Sequence, residues 1–351
     1  MRATIPDGTG LSVDGSGYLD VIDAMIDEVS KVVLGQRRLI EKLLIALLAD
    51  RHVLLEGVPG LAKTQVVSAI GKATGGTFRR VQLLPDMMPS DITGTLIYHP
   101  VEHCFRVQKG PVLDTHFLLA DEINRTPPKV QAAFLQAMQE REVTLGTETF
   151  VLTDPFIVLA TQNPIEEEGT YPLPEAQLDR FLFKLLVDYP KEEEELRLLD
   201  VPALDRRDPL RDVETVTSPA QLVALREHIR DVVYVSEQIK QYIVRVVRAT
   251  REPERYAGLQ DLRGTLRLGV SPRGGTMNIR KACRVQAFLQ GRTYVLPEDV
   301  KAVVPDVFRH RLWLDFRAES EGLVPDDVTH QILDKEKSRN NLPIHRALSD
   351  A

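Results

Sequence analysis

One stretch, Gly57-Val58-Pro59-Gly60-Leu61-Ala62-Lys63-Thr64, constrains this chain more than any other. It follows a short apolar run, 52–56, and opens a run through Ala73 with helical spacing, so the context is strand, Gly/Pro loop, helix. Such a loop turns its backbone N–H groups inward as an anion nest at the positive end of a helix. Lys63 then reaches the β- and γ-phosphates of ATP, and Thr64 ligates Mg2+. Ala62 stands where this pattern usually has glycine, and alanine takes a helical first turn without strain. The bland alternative is a Gly/Pro turn with a solvated lysine, which the flanking strand and helix argue against.

A second element, Phe117-Leu118-Leu119-Ala120-Asp121-Glu122, is an apolar strand closed by two carboxylates. Ligands in open α/β folds bind at the carboxyl ends of parallel strands, where this pair falls. Asp121 is expected to hold the magnesium through water, and Glu122 to orient or deprotonate an attacking water. Strands often end in acidic turns. The pair gains its weight from following a phosphate loop in the right order.

Strand-like runs at 52–56, 78–82, 117–120, 156–161 and 181–187 alternate with helical patterns at 21–33, 36–49, 63–73 and 127–140. That alternation predicts an α/β fold with a parallel, doubly wound sheet. Two segments break it: 83–111, read as an inserted hairpin with strand pieces at 92–98 and 104–108, and 142–152, read as a hairpin turned at Gly146. Beyond about residue 195 the pattern is helical, at 219–229, 236–251, 274–289 and 297–308. The expected domains are a loose arm 1–17, an α/β core 18–195, a linker 196–217, and a helical lid 218–351 whose tail from Asp334 is polar.

Composition narrows the class. The chain has 351 residues, 43% hydrophobic and 27% charged, the balance of a folded globular protein. The net charge of −7 offers no global basic field for nucleic acid, and the 6% aromatics do not interleave with Lys and Arg as a base-stacking surface would. Two distant cysteines give neither a disulfide framework nor a zinc pattern. His99 and His103 sit four apart in a loop, a poor metal site, and Glu166-Glu167-Glu168 reads as a solvated loop. No run reaches the roughly 20 apolar residues of a membrane-spanning helix, and the start lacks a signal peptide, so a cytoplasmic protein is expected.

Three stretches carry a specific resemblance: Leu119-Ala120-Asp121-Glu122-Ile123-Asn124-Arg125-Thr126-Pro127-Pro128-Lys129-Val130-Gln131, Ala160-Thr161-Gln162-Asn163-Pro164, and Gly169-Thr170-Tyr171-Pro172-Leu173-Pro174-Glu175-Ala176-Gln177-Leu178-Asp179-Arg180-Phe181. In these motifs the chain resembles the MoxR family of AAA+ ATPases, from about Val33 to about Leu314. The resemblance implies a P-loop core with a C-terminal helical lid. It makes Asn163 the sensor that helps place water at the γ-phosphate, where the plain alternative is a strand-end turn cap. It makes Arg180 an arginine finger offered to the ATP of a neighbouring subunit, where the alternative is a surface ion pair with Asp179 or Glu175. Arg125 is a second candidate for crossing a subunit boundary, or an intrasubunit ion pair. Arg273, at a helix start where the dipole disfavours a cation, becomes the lid sensor. Val33, Gly35 and Gln36 match the segment beside the adenine, with core packing as the alternative.

The same resemblance implies a homo-oligomer, a hexameric ring, that hydrolyses Mg-ATP. Its work would be chaperone-like remodelling or activation of a partner protein carrying a von Willebrand A domain. The inserted hairpin would lie near the ring's pore. Two other classes stay open: an ATP-gated oligomeric scaffold with little turnover, and the motor subunit of a metal chelatase or a nucleic-acid motor. Glu122, Asn163 and Arg180 favour hydrolysis over the scaffold.

Overall fold

The computed structural model describes residues 16–33, 35–57, 63–163, 169–187, 192, 196 and 210–337. The arm 1–15, the loop residues 58–62, the acidic run 166–168, most of the expected linker and the tail beyond Lys337 lie outside that set. The chain divides into two compact units: Met1–Val233 with Val285–Thr293, and Tyr234–Arg284 with Tyr294–Ala351.

Along the first unit run the strands β1 (His52–Glu56), β2 (Phe78–Gln82), β3 (Gly94–His99), β4 (Cys104–Lys109), β5 (Phe117–Asp121), β6 (Glu142–Leu145), β7 (Glu148–Val151), β8 (Ile157–Gln162) and β9 (Phe181–Leu186). Five of them form one parallel sheet in the order β2-β5-β8-β1-β9. The inner strands β5, β8 and β1 are buried almost end to end, which is why they read as unbroken apolar runs rather than as alternation. β2 lies at an edge and carries Arg79, Arg80 and Gln82 exposed. The expected parallel sheet is therefore present.

Its helices are α1 (Ser16–Ser30), α2 (Arg37–Leu48), α3 (Lys63–Ala73), α4 (Pro89–Thr93), α5 (Pro128–Glu140) and α6 (Glu175–Leu178). In α2, Ile40, Leu43, Leu44 and Leu47 recur at helical spacing and are all buried. Each such burial contributes about 1.5–3 kcal/mol. Gly35, with φ 73°, takes the left-handed turn between α1 and α2 that a side chain would strain. Pro128 opens α5 at a position that needs no N–H donor. Below it Phe134, Leu135 and Met138 join Leu118, Phe156 and Phe181 in one core.

The insertion departs in detail from its expected form. Ile92 and Thr93 belong to the helical turn α4, not to a strand, because the Asp91 carboxylate accepts from Met88 N at 2.8 Å and Pro89 presets the first turn. β3 and β4 then pair antiparallel, Gly94 against Lys109 through His99 against Cys104. Leu96, Tyr98, Phe105 and Val107 share one face, with the Tyr98 and Phe105 rings edge to face at 5.4 Å. β6 and β7 form the second hairpin around Gly146, whose φ is 63°.

The helix Pro219–Val232, expected to open the lid, falls in the first unit. Arg226 explains this placement: its Nε donates to Leu47 O at 2.8 Å and its Nη1 to Asp154 Oδ1 at 3.0 Å. In the second unit lie the helices Glu237–Ala249, Pro297–Phe308 and Pro325–Lys337 and a small antiparallel pair, Leu266–Leu268 with Trp313–Leu314. The polar segment from Asp334 starts inside the last of these helices. Arg273 begins a π-turn, Arg273–Met277, that runs into the helix Asn278–Leu289.

Candidate functional site

Strand register decides what meets at the sheet's carboxyl edge. β8 lies between β5 and β1, with Ala120 opposite Ala160 and Leu55 opposite Thr161. One step further along each strand come Glu56 and Gly57, Asp121 and Glu122, and Gln162 and Asn163. Thus the start of the phosphate loop, the acidic pair and the expected sensor share one edge. Gly57 must be glycine here, because a Cβ would run into the carbonyl oxygen of Val187.

Lys63 and Thr64 begin α3. The Lys63 ammonium is half-buried and donates to Gly57 O. Burial holds its pKa below the usual lysine value, while Asp121, Glu122 and Glu56 act in the opposite sense. Among the expected loop residues, Val58, Pro59, Gly60, Leu61 and Ala62 lie outside the described set.

Asp121 is only 8% exposed and accepts two hydrogen bonds. Thr161 Oγ1 donates to its Oδ1 at 3.1 Å, and Arg80 Nε donates to its Oδ2 at 2.6 Å. Glu122 follows in the left-handed region, φ 59° and ψ 53°, an uncommon conformation for a non-glycine residue. That turn aims Glu122 N at Thr161 Oγ1, 2.9 Å away. The Glu122 carboxylate accepts from Gln82 Nε2 at 2.8 Å and pairs with Arg125 Nε at 3.0 Å. Arg125 therefore stands in the intrasubunit ion pair that was its alternative.

The segment beyond Glu122 is pinned by Gln131. Its buried amide donates to Ile123 O at 3.2 Å, Thr126 O at 3.1 Å and Tyr171 O at 3.0 Å. Tyr171 N also donates to Asn124 O at 2.6 Å, so the loop after the acids and the stretch leading to α6 are one piece.

Arg180 is elsewhere. It immediately precedes β9, whose Phe181 lies opposite His52 at the start of β1. A strand rises about 3.3 Å per residue, so the length of β1 places Arg180 at the opposite edge of the sheet from its own acidic pair. There its Nη1 donates to Gln139 Oε1 at 2.6 Å, while the buried Nε has no hydrogen-bond partner among the described residues. Val33 is buried in the turn that follows α1, and Gln36 precedes α2, where its carbonyl accepts from Ile40 N at 3.1 Å. Arg273 belongs to the second unit.

Sequence patterns did not single out Arg80, Gln82, Thr161 or Gln131 as partners of the site. A usable signal existed for two of them. Arg80 and Gln82 are two apart on a strand and so share one face, and the register then sets Gln82 opposite Asp121.

A parallel sheet with a phosphate-loop helix, an acidic pair at a strand end and a separate helical unit defines an AAA-type ATPase fold. Comparison with known proteins agrees. Residues 52–183 match the model of the ATPase family associated with various cellular activities, and residues 262–332 match an AAA lid domain. The chain is 46% identical over 312 residues to Chaperone MoxR1 of Mycobacterium tuberculosis, covering 89% of this chain and 81% of that one. It is 35% identical over 315 residues to Protein MoxR of Methylorubrum extorquens, covering 85% and 90%. A solved structure of a candidate ATPase from Cytophaga hutchinsonii superposes with a TM-score of 0.85 at 43% identity, covering 92% of this chain and 96% of that one. The chain belongs to the MoxR family of AAA+ ATPases.

Proposed function

We propose that this protein binds Mg-ATP at the carboxyl edge of β1, β5 and β8, hydrolyses it as an oligomer, and uses the cycle to remodel a partner protein. The observation that carries this reading is the convergence of Lys63, Asp121, Glu122 and Asn163 on one sheet edge. The donor set suits magnesium: a buried carboxylate, Asp121, and a hydroxyl, Thr64, are the hard oxygen ligands that ion takes. When bound, the ion would supply positive charge that offsets the negative charge of the phosphate groups during transfer. Lys63 is the cation for the outer phosphates, and its partial burial strengthens that attraction. Glu122, freed from Gln82 or Arg125, would accept a proton from the attacking water. Asn163 would hold that water.

Arg180 fits a role in trans better than one in cis. It stands a strand's length from its own Glu122, at the edge a neighbouring subunit could approach. Leaving Gln139 for a neighbour's ATP would also give its buried Nε a partner. A finger in trans requires an oligomer, for which a hexameric ring is our proposal. Arg273 would act from the lid. The resemblance supports a client carrying a von Willebrand A domain, and the sequence supports a cytoplasmic location; Chaperone MoxR1 is so named, and the chaperone role is carried over from it.

The test is ATP turnover against protein concentration for wild type, Glu122→Gln and Arg180→Ala. Turnover per subunit should rise with concentration in wild type and fall in both variants, with Glu122→Gln still binding ATP. Full activity in Arg180→Ala would remove the finger. Binding without turnover at every concentration would instead favour a nucleotide-gated scaffold.

A further inference from the structure

Between the edge strand and the acidic pair runs a continuous chain of hydrogen bonds. Arg80 Nε donates to Asp121 Oδ2 at 2.6 Å, and Arg80 Nη2 donates to Gln82 Oε1 at 3.3 Å. With Oε1 engaged, Gln82 must turn its Nε2 outward, and that group donates to Glu122 Oε2 at 2.8 Å. Asp121 Oδ1 is engaged by the Thr161 hydroxyl, so Oδ2 is the oxygen that Arg80 covers.

We propose that Arg80 is a resident counter-cation of Asp121, competing with a divalent cation for that carboxylate and so setting the metal concentration at which the site loads. The proposal rests on the Mg-ATP reading above. A guanidinium and a divalent cation on one carboxylate repel each other, so Asp121 takes the metal at the expense of Arg80. The exchange is feasible because the two partners differ in freedom. The Asp121 side chain is 12% exposed and held by Thr161, while that of Arg80 is 51% exposed and has water to swing into. The departure of Arg80 also removes the donor on Gln82 Oε1. The Gln82 amide can then rotate, and its hold on Glu122 loosens. Asp121 loading and Glu122 release are thereby linked through β2, the strand that leads into the inserted hairpin.

The experiment is titration of Mn2+ into the full-length protein with a non-hydrolysable ATP analogue, with free Mn2+ followed by electron paramagnetic resonance. Arg80→Gln should bind Mn2+ about three- to tenfold more tightly than wild type, a range reduced for the exposure of the pair. Arg79→Gln is the control. It makes the same charge change on the alternate face of β2 and should stay within about twofold of wild type. Unchanged or weaker Mn2+ binding in a folded Arg80→Gln protein overturns the proposal, as do equal gains in both variants, which would mean general electrostatics. Tighter binding is not an outcome that local unfolding produces. If the wild-type protein shows no nucleotide-dependent Mn2+ binding, the Mg-ATP reading itself falls, and this inference with it.

Discussion

Thr161 organises both acids with a single hydroxyl, donating to Asp121 and accepting from Glu122 N. Asp121 is thereby fixed while Glu122 is left on exchangeable side-chain partners, which suits a ligand and a base respectively. Glu122→Gln keeps the shape and the hydrogen bonds but cannot take a proton, so kcat should fall about 10²- to 10⁴-fold with nucleotide affinity retained, checked by single-turnover kinetics and equilibrium binding. His52 makes a different residue-scale prediction. It is fully buried, with Nε2 against Met138 O at 3.2 Å and Nδ1 accepting from Val158 N at 3.1 Å, so the ring is neutral. Burial, then the Arg141 guanidinium, push its pKa from 6.5 to about 3. The unfolded chain therefore binds more protons than the folded one between those values. Stability is full above about pH 6.5 and declines as pH falls toward 3, by at most about 1.4 kcal/mol per pH unit from this group. Urea melts across that range should show the decline in wild type and a flatter profile, from a lower starting stability, in His52→Gln.

At the scale of elements, buried polar side chains lock pieces that have no regular pairing. Gln131 on α5 gathers Ile123, Thr126 and Tyr171. Gln131→Leu removes the amide donor from the Thr126 and Tyr171 carbonyls, while Ile123 O keeps the Thr126 hydroxyl, and should cost about 1–3 kcal/mol, read as a lower thermal midpoint, with a further loss of turnover because the Glu122 loop loosens. Arg226 does the same for the helix Pro219–Val232. Its side chain is 9% exposed and meets Asp50 at 3.2 Å and Asp154 at 3.0 Å. Arg226→Ala removes a buried cation from two more exposed carboxylates, so about 2 kcal/mol is expected rather than the full cost of a buried pair. Hydrogen exchange should then rise first in that helix. Neither role was visible in the sequence. Gln131 and Arg226 lie at helical spacing from buried apolar residues, a placement that marks them as core-facing without saying which oxygens they meet.

For the molecule as a whole, the separation of Arg180 from its own acids makes a composite site testable by mixing. Glu122→Gln and Arg180→Ala proteins are each expected to be inactive alone. In randomly mixed rings about a quarter of the interfaces join an intact Glu122 to an intact Arg180, so partial recovery of turnover is expected on mixing. No recovery, with mixing of subunits verified by native mass spectrometry, would argue against action in trans.

The sequence alone determined the elements that depend on local pattern. Apolar runs marked β1, β5 and β8, helical spacing marked α2 and α5, and the motifs around Lys63, Asp121 and Asn163 marked a P-loop core of the MoxR type. Those signals are local because strand burial, helix amphipathicity and phosphate-loop geometry are each written within a few consecutive residues. Tertiary structure decided what meets what. The parallel order β2-β5-β8-β1-β9 brought Gly57, Asp121, Glu122 and Asn163 to one edge and left Arg180, before β9, at the other. It also set Arg80 on Asp121, and it tied the helix Pro219–Val232 to the first unit through Arg226. Each of these is a pairing between residues tens of positions apart, fixed by sheet register and buried charge, and no local periodicity encodes it.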